Sequence, residues 1–425
     1  MIAEFTVGNF RSFKEKCTFS LVSTKNKELS ETNTFKLEKH FFLKSAVIYG
    51  ANASGKSNFF EALVFFLNFS VYSGPHKQVG DPTRAEPFVL SRQTKSGASF
   101  FEIVFFIKAE NELIRYRYGL SVNEKEVETE YLFAVYNIRE VTLFERNYQE
   151  ITYTPNFKEG ARGKPSVRNN CNLLSVCAQN NGEISSQIID YFRRMVVLSG
   201  LNNLLLVQKE NALPSYKSKI IDFLRYADIQ ITDYKTEFIH AFGDFPDSEL
   251  AEFLQNKYPN EKRAKISYGH TVYDGEIAEG EYYFDESAES AGTRKLFSLS
   301  SYILGALEKG TPVFIDEFDT MLHPLILEGI IKLFNSPITN KNNAQLVVSC
   351  HAVNIMTNKL FRRDQIWFCE KNQYGATDLY SLVEYKEPVR KDETYNKNYL
   401  HGKYGAIPYL DEILLQTRLD NNEAK

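Results

Sequence analysis

No apolar stretch of this chain reaches the ~18 residues that a membrane-crossing helix needs, so it is not expected to span a bilayer. Residues Met1 to Phe5 show no basic start followed by an apolar run, which excludes a secretory signal there. The five cysteines (Cys17, Cys171, Cys177, Cys350, Cys369) are scattered, odd in number and without C-x-x-C spacing. That argues against a disulfide framework or a zinc site and for reduced thiols, so a cytoplasmic location is expected. The seven histidines form no H-x-x-x-H or H-N-H cluster. A surplus of positive charge is missing as well. The net charge is −4, and no global basic field advertises nucleic acid. Sustained heptads, internal repeats and low-complexity tracts are absent, which removes long coiled-coil arms.

What is present is an ordinary globular balance, 43% apolar and 24% charged, with aromatics high at 14%. A chain of 425 residues can bury a large core and is expected to form two domains or lobes. Ile2 to Phe13 alternates as a strand does, and Cys17 to Val22 continues the pattern. From Phe88 to about Tyr153, Phe/Ile/Val/Tyr-rich runs alternate with charges and predict a meander of antiparallel strands, turning near Asn111-Glu112 and Asn123-Glu124. Asn156 to Arg168 reads as an exposed loop, and Asn172 to about Ala251 as helical. Lys265 to His270 and Glu281 to Phe284 then predict two strands joined near Asp274-Gly275.

One stretch carries specific chemistry. Gly50-Ala51-Asn52-Ala53-Ser54-Gly55-Lys56-Ser57 fits G-x-x-x-x-G-K-[ST] at every fixed position. The apolar run Ala46 to Tyr49 leads in as a buried strand, and a helical pattern from Asn58 to Leu67 leads out. Glycines let the backbone wrap a phosphate, so that successive N–H groups and the helix N-terminus point at the anion. The pattern predicts that Gly50, Asn52, Ser54, Gly55, Lys56, Ser57 and Asn58 contact ATP. Lys56 would reach its β- and γ-phosphates, and the Ser57 hydroxyl would ligate Mg²⁺. The competing reading is an accidental glycine turn.

Phosphate chemistry also needs an acidic strand, and Pro312-Val313-Phe314-Ile315-Asp316-Glu317 offers one. Asp316 is the candidate Mg²⁺ ligand and Glu317 the group that polarises the attacking water. Ala344 to His351 predicts another buried strand, with His351 at its C-terminal tip as a candidate γ-phosphate contact. Before them, Glu289-Ser290-Ala291-Gly292-Thr293-Arg294 opens a helix expected over Lys295 to Leu307. It is a second candidate anion site, unless Ser290 merely caps its helix.

In this order the motifs resemble the ABC-type ATPase heads of the structural-maintenance-of-chromosomes and recombination-repair class. The resemblance implies that Ser290 to Thr293 with Gly292 form the signature motif, that Asp319 is the D-loop residue and that His351 is the switch histidine. Asn9-Phe10-Arg11-Ser12-Phe13, Leu322-His323-Pro324 and Gly402 to Pro408 are further similar to the compact bacterial ATPases of the RloA type, found in phage-defence and abortive-infection systems. By that likeness Arg11 joins the nucleotide contacts. The resemblance covers about residues 1–110 and 260–425. It implies an α/β P-loop NTPase fold, an antiparallel β subdomain plus a parallel-sheet core, with a helical insertion. The expected division is 1–155 for an N-terminal ATPase lobe, 156–262 for a mainly helical insertion and 263–425 for a C-terminal ATPase lobe.

The signature here reads Glu-Ser-Ala-Gly-Thr-Arg and not Leu-Ser-Gly-Gly-Gln, as in the non-transporter branch; Gln93 is the available glutamine for a Q-loop. The resemblance implies a homodimer closed over two ATP molecules. The segment after His351 is short for a Toprim nuclease domain and holds no Asp-x-Asp. A separate effector protein, and a phage trigger protein, are therefore the expected partners. The alternatives are a clamp on DNA, using the basic stretches Arg162 to Arg168 and Lys386 to Lys397, and a nucleotide-binding scaffold with negligible turnover.

Overall fold

The computed structural model describes residues 1–109, 112–136, 139–199, 214–240, 262–385 and 389–408. Its first layer is antiparallel. Strand β1 (Ile2–Gly8) pairs with β2 (Cys17–Ser20) on one side. A short helix α1 (Ser30–Asn33) and the hairpin β3 (Thr34–Leu37)–β4 (His40–Leu43) follow. Then come β5 (Ser45–Tyr49) and helix α2 (Lys56–His76). The other side of β1 takes the meander β6 (Ser99–Ala109), β7 (Glu112–Val122), β8 (Val127–Tyr136), β9 (Arg139–Asn147) and β10 (Glu150–Tyr153), giving the order β10-β9-β8-β7-β6-β1-β2. The alternation of Phe101, Ile103 and Phe105 with outward residues places one face of this sheet on the core.

The second layer is the parallel sheet. Helices α3 (Gly160–Gly163), α4 (Leu173–Gln179) and α5 (Glu183–Arg194) lead to β11 (Val196–Ser199). Helix α6 (Pro214–Tyr226) and β12 (Asp233–His240) come next, followed by the hairpin β13 (Lys262–Asp274)–β14 (Ile277–Asp285). Helix α7 (Ala291–Lys309), β15 (Val313–Asp316), α8 (Pro324–Asn335) and β16 (Leu346–Ser349) precede β17 (Ile366–Lys371), β18 (Thr377–Ser381) and α9 (Tyr395–Leu400). The sheet order is β11-β15-β16-β5-β17-β18, parallel except for the last pair.

A sheet buried on both faces needs apolar residues at consecutive positions, which is why β5 reads Ala-Val-Ile-Tyr. Ala46 and Ile48 join the core shared with α2 and the antiparallel sheet, whereas Val47 and Tyr49 join the core under α7 and α8. Helix α2 lies between the two sheets, so Phe59, Phe60, Leu63 and Phe66 are all buried and its apolar residues run round the helix. Among the described residues no helix is long and apolar enough to cross a membrane.

Several sequence expectations are corrected here. Asn172 to about Ala251, expected to be helical, holds α4, α5 and α6 and also two strands among the described residues. β11 pairs with β15 in the parallel sheet, and β12 pairs with β13 in a separate three-stranded sheet, β12-β13-β14. The segment 156–262 is thus woven into both layers, with α4 and α5 packed on α2; its residues 200–213 and 241–261 lie outside the described residues. The stretch 156–168, expected to be an exposed loop, is largely exposed but contains α3 and a 3₁₀ turn at Lys164–Ser166. The turn expected at Asn111 falls outside the described residues, whereas Asn123 closes the β7–β8 turn by accepting from the amides of Lys125 and Glu126.

Candidate functional site

The glycine loop stands between β5 and α2. Gly55, at φ +111°, adopts a backbone that L side chains rarely take, and a Cβ there would lie 2.2 Å from Thr377 Oγ1. At Gly50 a Cβ would lie 2.4 Å from the Cys369 carbonyl oxygen. The loop is pinned from behind by Ser12 and Thr377, neither of which was a candidate contact in the sequence. Thr377 Oγ1 donates to the Ser54 carbonyl at 2.7 Å, and Asn58 Nδ2 donates to Ser12 Oγ at 2.7 Å. The Ser12 hydroxyl in turn lies 2.8 Å from Thr377 Oγ1 and donates to it, and the Ser12 carbonyl accepts from the Thr377 amide. Their only sequence signal is the Asn9 to Phe13 stretch; Thr377 carries none.

Lys56 is buried and folds back over the loop, donating to the carbonyls of Gly50 at 2.9 Å and Ala51 at 3.0 Å. Burial pushes its ammonium below the usual lysine range, while the nearby Asp316, Asp319 and Glu317 carboxylates oppose that shift. Asn52 and Ser57 are exposed at the mouth, and Ser54 Oγ is buried with no hydrogen-bond partner. The amides of Gly55, Lys56 and Ser57 open α2 and donate to no backbone carbonyl, as expected of a helix start. An orphan hydroxyl, free amides, a lysine and glycines that exclude any Cβ fit a phosphate chain.

The acidic strand ends beside this loop. Asp316 is the last residue of β15, and its Oδ1 accepts from Ser349 Oγ at 2.5 Å. The same Ser349 oxygen accepts from the Glu317 amide at 2.7 Å, holding both acidic residues from the tip of β16. Glu317 sits at φ +51°, a left-handed conformation uncommon for a residue with a side chain and typical of strained functional positions. Asp319 Oδ2 accepts from the His351 amide at 2.9 Å, while its buried Oδ1 has no partner. Desolvation pushes the His351 imidazole down, Lys56 adds to this, and Asp319, Glu317 and Asp316 act in the opposite sense. Lys56, His351 and the three carboxylates therefore share one electrostatic site.

Arg11 is placed differently. Its guanidinium is held by Glu86 at 2.8 Å and Glu61 at 3.2 Å, and among the described residues it makes no bond to the glycine loop. Ser290 caps α7 by accepting from the Thr293 amide at 3.0 Å, and it and Gly292 make no hydrogen bond to residues 50–58. A Cβ on Gly292 would meet the Met321 carbonyl at 2.7 Å, so the start of α7 rests on the loop after β15. Lys295, passed over in the sequence, fixes that contact: its buried ammonium donates to the carbonyls of Glu317, Phe318 and Thr320. Gln93 is exposed in a turn.

The family model described as "AAA domain, putative AbiEii toxin, Type IV TA system" matches residues 45–357. No curated protein matches the chain. A solved structure described as the SmcHead bound to the C-winged helix domain of ScpA aligns with 90% of this chain and 98% of its own, at 12% identity and a TM-score of 0.41. The matched family span holds the glycine loop, the acidic strand and His351 together, and over it the chain belongs to this AAA domain family.

Proposed function

We propose that this chain binds and hydrolyses ATP and uses the cycle as a dimerisation switch that restrains and releases a separate effector. The observation that carries the reading is the convergence of Lys56, Asp316, Glu317, Asp319 and His351 on one glycine loop. Lys56, now on loop carbonyls, is the cation that would transfer to the phosphates, and the orphan Ser54 hydroxyl and loop amides would add donors. Ser57 and Asp316 would hold Mg²⁺, which supplies charge neutralisation across the phosphates. Glu317, fixed by Ser349, would orient and deprotonate the attacking water. Ser290 and Gly292 make no hydrogen bond to their own glycine loop, which suits a site completed by the α7 N-terminus of a second copy. Regulation of a toxic effector draws on the RloA-type resemblance and agrees with a family description that names a toxin–antitoxin system.

The DNA-clamp alternative has less behind it. Of the cations at 162–168, Lys164 donates to the Ile151 carbonyl and Arg168 to the Gly74 carbonyl, so both are turned onto the protein. The stretch 386–397 begins with three residues outside the described ones.

The test is ATP turnover and solution mass for the unmodified chain and for Glu317→Gln. Loss of turnover by about a hundredfold or more, with an ATP-dependent doubling of mass, is expected. Unchanged turnover in the variant would remove Glu317 from the chemistry, and an ATP-independent assembly without turnover would make the nucleotide structural.

A further inference from the structure

The three-stranded sheet carries more exposed apolar surface than a finished sheet should. Where it faces α7 it is well packed: Tyr234, Ile266 and Tyr268 are buried, and the Tyr234 and Tyr268 rings meet Phe297 edge-on. The register puts Phe284 opposite Tyr268, Tyr282 opposite His270 and Gly280 opposite Val272 on that same face. There the face runs on past its cover. Phe284 is 41% exposed, Val272 42% and Tyr282 57%, and Ile277 at the tip is 72% exposed. Among the described residues β14 is also an edge strand, bonded only to β13. Residues 271–290 hold seven carboxylates and no lysine or arginine. The hairpin is joined to the start of α7 by His270 Nε2 and Glu289 Oε1 at 2.7 Å.

A surface of the opposite character is formed by the connection from α2 to β6 and the β7–β8 turn. A groove of about 1110 Å³ is lined by Arg84, Lys95, Lys125, Pro87 and Val89, with Arg11 and Glu86 at one side. Arg84, Lys95 and Lys125 are exposed and form no ion pair among the described residues, and the same holds for neighbouring Arg92. Glu86 is taken by Arg11, which leaves Glu124 as the groove's one unpaired carboxylate. Val89 is 59% and Leu90 69% exposed. Leu90 reaches the β17–β18 turn at Gly375, two residues before the Thr377 that pins the glycine loop.

We infer that the β13–β14 hairpin is a docking arm for a second copy of this chain, its acidic aromatic tip seated in the cationic apolar groove of the other protomer. The inference rests on the dimer reading above and deepens it. Neither surface suits itself, since two β14 edges would set carboxylates against carboxylates. Each suits the other in charge and in apolar content. A two-fold pair would use each contact twice, and on the dimer reading the α7 start of one copy would meet the glycine loop of its partner. The His270–Glu289 link ties the arm to the α7 N-terminus, so seating the arm would help to place Ser290.

The test uses the full chain carrying Glu317→Gln with MgATP, and reads the dimer Kd by sedimentation. Glu276→Lys with Glu279→Lys, both exposed and without an ion pair among the described residues, should weaken the dimer about tenfold or more, and Lys95→Glu with Lys125→Glu likewise. Combining all four should restore Kd to within about threefold of the parent, a rescue that misfolding cannot mimic. A parent that stays monomeric with ATP sinks the dimer reading and this inference with it. A parent that dimerises while every charge variant keeps its Kd overturns the arm alone. Retained dimerisation with salt-sensitive DNA binding lost in the Lys95/Lys125 variant would assign the groove to nucleic acid instead.

Discussion

Lys295 is buried to 4% exposure and spends all three ammonium protons on the carbonyls of Glu317, Phe318 and Thr320. Burial pushes it down to about 8, against the pull of Asp319 and Glu317. The native chain therefore holds this proton more weakly than the unfolded chain. From about pH 8 up to the unfolded lysine value near ~10.4, the unfolded state binds the extra proton, so this group's contribution to stability rises with pH. The amine that results has two donors for three carbonyls, and the loop carrying Glu317 loses an anchor. An NMR titration of the Lys295 side chain should find a midpoint near 8; a midpoint above 10 would show the ammonium to be solvated and the clamp absent. The glycine loop, Asp316, Glu317 and His351 were legible because their chemistry is written in contiguous residues. Ser12, Thr377, Ser349 and Lys295 were not, since each matters through a partner more than 20 residues away and is an ordinary polar residue in its own neighbourhood.

At the scale of elements, the start of α4 depends on a strand. Glu130 of β8 accepts from the Leu173 amide at 2.7 Å, the Leu174 amide at 3.1 Å and the Tyr118 hydroxyl at 3.0 Å. It faces Arg146 of β9 at 3.5 Å, with both side chains fully buried. Arg146 in turn donates to the carbonyls of Tyr148, Cys171 and Arg168. Removing one partner of such a pair strands the other charge, so Glu130→Ala should cost about 3–5 kcal/mol in denaturant unfolding, with Glu130→Gln milder because it keeps the acceptor. A loss below 1 kcal/mol for the alanine variant would mean water takes over the role. Elements also divided by how far their partners lie. The β6–β10 meander was readable from alternation and local turns. β11 was not, because Val196 to Ser199 follows α5 directly and a four-residue apolar run has no period of its own; only pairing with β15 makes it a strand. β12, with Asp, Lys, Glu and His among eight residues, is a strand because Tyr234 packs on Phe297 and β13 supplies its hydrogen bonds.

For the whole molecule the decisive feature is that its two layers share parts. Strand β5 feeds both cores, and α2 is wedged between the sheets. Gln345, 1% exposed at the head of β16, bridges them: its Oε1 accepts from the Ile2 amide at 2.8 Å, and its Nε2 donates to the carbonyls of Ile2 and Leu43. Trp367, the chain's one tryptophan, lies at the same junction, in β17 of the parallel sheet with its ring 4.8 Å from Phe19 of β2. A chain of this length has no right to unfold in one step, since separate cores commonly melt separately. Sharing β5 and α2 removes that freedom, because neither core can open without exposing the other. Tryptophan fluorescence, which reports the junction, should therefore follow the same denaturant transition as far-UV circular dichroism, which reports all the helices and sheets. Gln345→Ala leaves the buried Ile2 amide and carbonyl unpaired and should lower stability by more than about 2 kcal/mol, moving both signals together. A fluorescence change that precedes the loss of secondary structure would show the two sheets to be separately stable units and the junction a mere contact between them.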